Sequence, residues 1–214
     1  MSTSQLTGRL PFRANYRLHL LFAGFVMYWI ALGLWPVQRS LWLAENVLVV
    51  LTVAALVWTY RFIPLSNLSY LFIALFLCLH TYATHFSYET TPIDDWLKAT
   101  FHTKRSYYDR VVHFAFGLLW IYPFRQIFVR TTGIGRGLWP YLVPMALVMG
   151  LSAIFEIAEM AVASLSGQGA NSDEAIGMQG DVFDTQKDMM LAWFGAIAAE
   201  GILIWRSSRK KAVN

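Results

Sequence analysis

The chain has 214 residues, 57% of them hydrophobic and only 14% charged, against about a quarter charged in ordinary soluble domains. This argues for a membrane protein over a soluble domain, and the length leaves room for one membrane domain with short loops and no second folded unit. The formal charge of +4 does not point to nucleic acid, because the surplus Lys and Arg are distributed as a topology signal.

Six apolar stretches near 20 residues long are each sufficient to cross the roughly 30 Å hydrocarbon core as a helix. They are Leu18–Pro36, Leu43–Phe62, Leu68–Phe86, Tyr107–Phe124, Pro140–Ala163 and about Lys187–Trp205. The fold expected is therefore all-α, a polytopic bundle of six transmembrane helices. The first stretch is too long for a secretory h-region. It is followed by Trp35-Pro36-Val37-Gln38-Arg39, which lacks a small-residue cleavage site, so it is expected to remain as a helix. The connections on either side of the second stretch are tight. The third stretch carries the single Cys78, which offers neither a disulfide nor a thiolate cluster, and His80 and His85 in its last third. In the following connection Thr91 reads as an N-cap with Pro92 at the first helical position. Ile93, Trp96, Leu97 and Phe101 then share a face, which predicts a short interfacial helix.

The fourth stretch opens with Tyr107, Tyr108, Asp109, Arg110 and His113. It is followed by Gly133-Ile134-Gly135-Arg136-Gly137, a basic turn without the βαβ context of a nucleotide-binding loop. The fifth carries Glu156 and Glu159 within an apolar run. Residues Ser164–Asp184, rich in Gly, Asn, Asp and Ser, read as an irregular cap, and the sixth stretch is reached through Asp181, Asp184 and Asp188. No internal repeat supports the inverted halves of a transporter.

Lys and Arg concentrate in alternate connections. Eleven of the seventeen lie before the first stretch and after the second, fourth and sixth, which the positive-inside rule places in the cytoplasm together with both termini. Twelve of the thirteen acids, all but Glu200, and four of the five histidines then fall on the periplasmic side. Trp35, Trp42, Trp58, Trp96, Trp139 and Trp205 stand near predicted helix ends, where an amphipathic ring suits the headgroup layer.

Four separate segments thus bring ionisable groups to a similar depth. Asp109 and His113 are spaced i,i+4, Arg110 and His113 i,i+3, and Glu156 and Glu159 i,i+3. Asp181, Asp184 and Asp188 form one stripe if the last helix starts early. His80 and His85 are about 140° apart on a regular helix, so at most one joins a shared site. Carboxylates with imidazole and no thiolate suit Zn, Mn, Fe or Mg. Plainer readings exist for each residue alone: His80 as a buried bonded histidine, Asp184 as an N-cap, Asp109 and Arg110 as interfacial charges. None of these explains Glu156 and Glu159 inside an apolar run, where a charge needs a partner or a cavity.

Three pieces carry a family resemblance. They are Tyr108-Asp109-Arg110 followed by His113-Phe114-Ala115-Phe116-Gly117, the Glu156-Ile157-Ala158-Glu159 pair, and Gly180-Asp181-Val182-Phe183-Asp184-Thr185-Gln186-Lys187-Asp188-Met189. Together they resemble the YjdF-type bacterial inner-membrane proteins over most of the chain. The resemblance implies an inner-membrane location and six helices, and it supplies no reaction.

The residues point first to a periplasm-facing, metal-dependent hydrolase or group transferase acting on a lipid-borne or periplasmic small substrate in the bilayer. Asp109, His113, Glu156, Asp184 and Asp188 are the expected ligands of a divalent ion, and Glu159 or Asp181 the general base. Arg110 is expected to hold a phosphate or carboxylate, with Tyr108 and His80 beside the substrate. No Gly-x-Ser-x-Gly or His-Glu-x-x-His pattern is present. A proton- or cation-coupled transporter and a non-catalytic structural or docking protein are the alternatives.

Overall fold

The computed structural model describes residues 12–88, 90–103, 105–165 and 183–212. After a short 3-10 turn at Phe12–Ala14, the described residues form seven helices: α1 (Tyr16–Gly33), α2 (Arg39–Thr59), α3 (Asn67–Phe86), α4 (Pro92–Phe101), α5 (Tyr108–Thr132), α6 (Trp139–Leu165) and α7 (Asp184–Ala212). All except α4 are long and apolar enough to span a membrane. Among the described residues there is no strand.

Local chemistry sets the boundaries. Asn15 caps α1 by accepting from Leu18 N–H, and its amide exchanges hydrogen bonds with Asn67 at 2.7 and 3.0 Å, tying the starts of α1 and α3 together. Ser66 caps α3 by accepting from Ser69 N–H. Thr91 caps α4 with Pro92 in its first turn, as its sequence predicts, and Ile93, Trp96 and Phe101 are exposed. Several helices run past their sequence-read ends, α5 and α7 among them. α5 continues beyond Phe124 to Thr132, because Arg125, Gln126 and Arg130 are adequate helix formers, and stops at Gly133, which is left-handed. α7 begins at Asp184, three residues before the apolar run, since polar residues are ordinary in a first helical turn.

The bundle is centred on α3 and α5. Their apolar windows are 56% and 50% buried, against 11% for α1 and for α2 at the periphery. The closest approach joins α5 to α7. A Cβ placed at Gly117 would lie 1.8 Å from the Ala192 carbonyl oxygen, and one at Gly195 would lie 2.1 Å from that of Phe114. Glycine at both positions lets the backbones touch, as small residues do between membrane helices. Ile121, Phe124, Val148, Ala192, Ala196 and Ala199 fill the layer below. On the other side of α3, Phe25, Val49, Ile73, Phe76 and Leu77 pack with Tyr108 and Val112.

Candidate functional site

The end of the bundle that carries α4 holds the polar site. Its foundation is Asp94, fully buried on α4. Asp94 Oδ1 accepts from Tyr107 N–H at 2.6 Å and from Tyr108 N–H at 3.3 Å, and Oδ2 pairs with Lys98 at 2.7 Å. Tyr107 has no capping side chain of its own, so a carboxylate from the preceding helix satisfies the first turn of α5. That cap aims the next two turns.

Asp109 and His113 follow on one face of α5, with His113 Nε2 3.6 Å from Asp109 Oδ1. Across from them on α6, Glu156 Oε1 lies 3.1 Å from the same Nε2, and Ser152 Oγ lies 3.3 Å from Nδ1. A nitrogen facing two carboxylates carries the proton, so Nε2 donates toward Glu156 while Nδ1 meets the Ser152 hydroxyl. α7 adds Asp184 and Asp188 one turn apart. Asp184 pairs with Arg105 and lies 3.5 Å from Arg110, whose Nε is 4.0 Å from Asp188 Oδ1. The Arg110 guanidinium also stands 5.4 Å from the Tyr107 ring centroid. Asp188 Oδ1 is buried without a hydrogen bond.

A second polar layer joins α2 and α3 to this one. His80 is buried; its Nε2 donates to the Glu45 carbonyl at 3.2 Å and its Nδ1 accepts from the Tyr88 hydroxyl at 2.5 Å. Burial, and after it the negative charge of Glu45, Asp109 and Glu159, pushes the Tyr88 phenol well above its usual range, so it stays a donor. Glu45 Oε2 is buried and has no hydrogen-bond partner. Glu159 is exposed, within electrostatic reach of the carboxylates of Asp109, Glu156, Glu45 and Asp188.

Asp109, Arg110, His113, Glu156, Asp184 and Asp188 therefore come together, with Glu159 beside them. Tyr108 is buried and its hydroxyl donates to the Leu79 carbonyl at 3.2 Å. His85 turns the other way and contacts the Leu32 carbonyl at 2.7 Å, as its angular offset from His80 requires. Asp181, and with it most of the cap expected over Ser164–Asp184, lies outside the described residues. Four residues escaped the sequence reading: Glu45, Tyr88, Arg105 and Ser152. Glu45 had a usable signal, an acid inside an apolar run like Glu156. The others became visible only through their contacts.

The donor chemistry divides the expected metal ligands. Both ring nitrogens of His113 have protein partners, and Asp184 is held by two guanidiniums. Among the described residues no group of three or more His, Cys, Asp or Glu is already arranged around a common ion position. The oxygens of Glu45, Asp109 and Asp188 that are buried without a hydrogen bond, with Glu156 held beside them by His113, are the better match to a hard cation.

The family described as "Predicted membrane protein (DUF2238)" matches residues 17–210, the whole bundle just described. The chain belongs to this family. It is also 33% identical over 161 residues to "Inner membrane protein YjdF" of Escherichia coli (strain K12), covering 75% of this chain and 76% of that one. No solved structure matches. The matched region contains every residue of the polar site, and both comparisons agree with the six apolar helices in making the chain a multi-pass membrane protein.

Proposed function

We propose that this protein is a metal-dependent hydrolase or group transferase of the bacterial inner membrane, acting from the periplasmic side on a lipid-borne substrate. One observation carries the reading, an imbalance of charge. Glu45, Asp109, Glu156, Glu159, Asp184 and Asp188 meet Arg105, Arg110 and His113 from four spanning helices. Six carboxylates against two guanidiniums and an imidazole crowd like charge at membrane depth, where each charge needs a proton, a partner or a cation to offset it. A divalent cation balances it. Asp109, Glu156 and Asp188 are the donors best suited to hold the ion, with Glu45 behind them. Such an ion supplies a polarised phosphoryl or acyl oxygen and a more acidic water.

The protein's own groups take the remaining roles. His113 fixes Glu156 and Asp109. Arg110, poised by Asp184 and Asp188, meets an anionic group of the substrate. Glu159, the carboxylate with open surface, is the base. A transmembrane relay fits less well. Between the level of His113 and Asp188 and the Arg125–Glu200 pair near the other end, 3.3 Å apart, the described residues pack an apolar cluster that includes Ile121, Val148, Ala192 and Ala196.

The test compares detergent-purified wild type with Glu156→Gln, Glu159→Gln and Arg110→Ala in bound metal, melting temperature and complementation of a deletion strain. The wild type should carry an ion that Glu156→Gln loses. Glu159→Gln and Arg110→Ala should stay folded and metal-loaded yet fail to complement. A metal-free active wild type would refute the metal, and full complementation by both variants would refute the catalytic roles.

A further inference from the structure

Arg105 and Arg110 converge on one atom. Each directs an Nη2 at Asp184 Oδ1, Arg105 in direct contact and Arg110 at 3.5 Å. Arg110 is further held by Asp188, 4.0 Å from its Nε, and by the Tyr107 ring, whose centroid lies 5.4 Å away. The segment that carries Arg105 is pinned from both sides. Its carbonyl accepts from the Thr103 hydroxyl at 3.2 Å, and the buried Ser106 next to it donates to the Tyr88 carbonyl at 3.0 Å. The fold thus sets two cations in place, which lowers the cost of ordering them around a ligand.

Charge and depth choose that ligand. One carboxylate oxygen offers a fraction of a single charge to two forked donors. A phosphate monoester offers about two negative charges on three oxygens and can meet both forks at once. The two side chains are 16% and 18% exposed, so they are partly desolvated and still open to an anion. Arg105 stands four residues after the end of α4, whose Ile93, Trp96 and Phe101 are exposed. An apolar helix face of that kind lies at headgroup level, where lipid phosphates are found. Asp184 Oδ1 marks the place of one phosphate oxygen, and its carboxylate yields that place when the anion enters.

We infer that Arg105 and Arg110 clamp the phosphate monoester of a lipid headgroup, which rests on the catalytic reading of this site and gives its substrate class. Isothermal titration of the detergent-purified full chain with dioctanoyl phosphatidic acid tests it. Dioctanoylglycerol and inorganic phosphate are the comparison ligands, and bound metal and melting temperature are measured on the same samples. The wild type should bind phosphatidic acid more tightly than either comparison ligand. Arg105→Gln should weaken that binding at least about tenfold, the weight of a charge-assisted hydrogen bond, with bound metal retained. Arg105→Lys, which keeps the charge without the fork, should recover only part of the loss. Arg39→Gln, at an exposed position outside the clamp, should leave the affinity unchanged. Asp184→Asn should tighten binding, because it removes the competing carboxylate, whereas a purely structural ion pair would only lose stability. The clamp is overturned if either comparison ligand binds as tightly as phosphatidic acid, if a folded Arg105 variant keeps full affinity, or if Arg39→Gln loses as much. None of these results touches the metal. Tight binding of phosphatidic acid by a metal-free wild type would instead overturn the metal and uphold the clamp.

Discussion

Gly117→Ala should be the most damaging single methyl group in the bundle, because of where that methyl would point. Its Cβ would sit 1.8 Å from the Ala192 carbonyl oxygen and 2.7 Å from the Ala196 nitrogen, both backbone atoms. No rotamer change can relieve such a contact. To restore a van der Waals separation, α5 and α7 must part by roughly 1.5 Å along their closest line. Overpacking of this kind costs about 2–3 kcal/mol, or roughly 5–10 °C in melting temperature for a chain of this size. The displacement also reaches the site. His113 and Arg110 lie one and two turns before Gly117 on α5, and Asp188 and Asp184 one and two turns before Ala192 on α7. An Arg110–Asp188 contact already at 4.0 Å does not survive that separation. The controls are Gly150→Ala and Gly201→Ala, at helical positions where a Cβ meets nothing within 4 Å. They should be neutral or stabilising by about 0.5–1 kcal/mol through backbone entropy. Thermal unfolding of the three purified variants in one detergent is the assay. If Gly117→Ala melts with the controls, the close α5–α7 contact is not the feature that orders this bundle.

Three further outcomes follow from particular contacts. Asp94→Ala removes the cap of α5 and the partner of Lys98, so it should destabilise by about 2 kcal/mol in the same unfolding assay, with Asp95→Ala, its exposed neighbour, near zero. The Tyr88 phenol titrates higher when folded than unfolded, so above about pH 10 the unfolded chain holds fewer protons and stability falls as pH rises; Tyr88→Phe should flatten that alkaline loss in melting curves taken across the range. Reporter fusions at Gly169 and Asn214 should respond as periplasmic and cytoplasmic respectively, and the opposite response would move the polar site to the cytoplasmic face.

Much of this protein was legible along the chain, because a bilayer makes structure a matter of local composition. Backbone groups in hydrocarbon must be satisfied within their own segment, so six apolar runs of sufficient length specified six helices without knowledge of their neighbours. Thr91-Pro92 announced α4 for an equally local reason, since the N-cap bond spans three residues. The spacings of Asp109 with His113 and of Asp184 with Asp188 placed those pairs on single faces, and the faces do meet. Tertiary structure alone decided the partners. The glycines at 117 and 195 act across two helices far apart in sequence, and periodicity does not say which helix a glycine will touch. Asp94 reads locally as an ordinary first-turn acid of α4, yet it is buried as the cap of α5. Arg105, in a connection, pairs with Asp184, and Glu45 brings a buried carboxylate from α2 within electrostatic reach of Asp109. A charge can be placed at depth by its own helix, but what compensates it depends on which helices come to lie beside it.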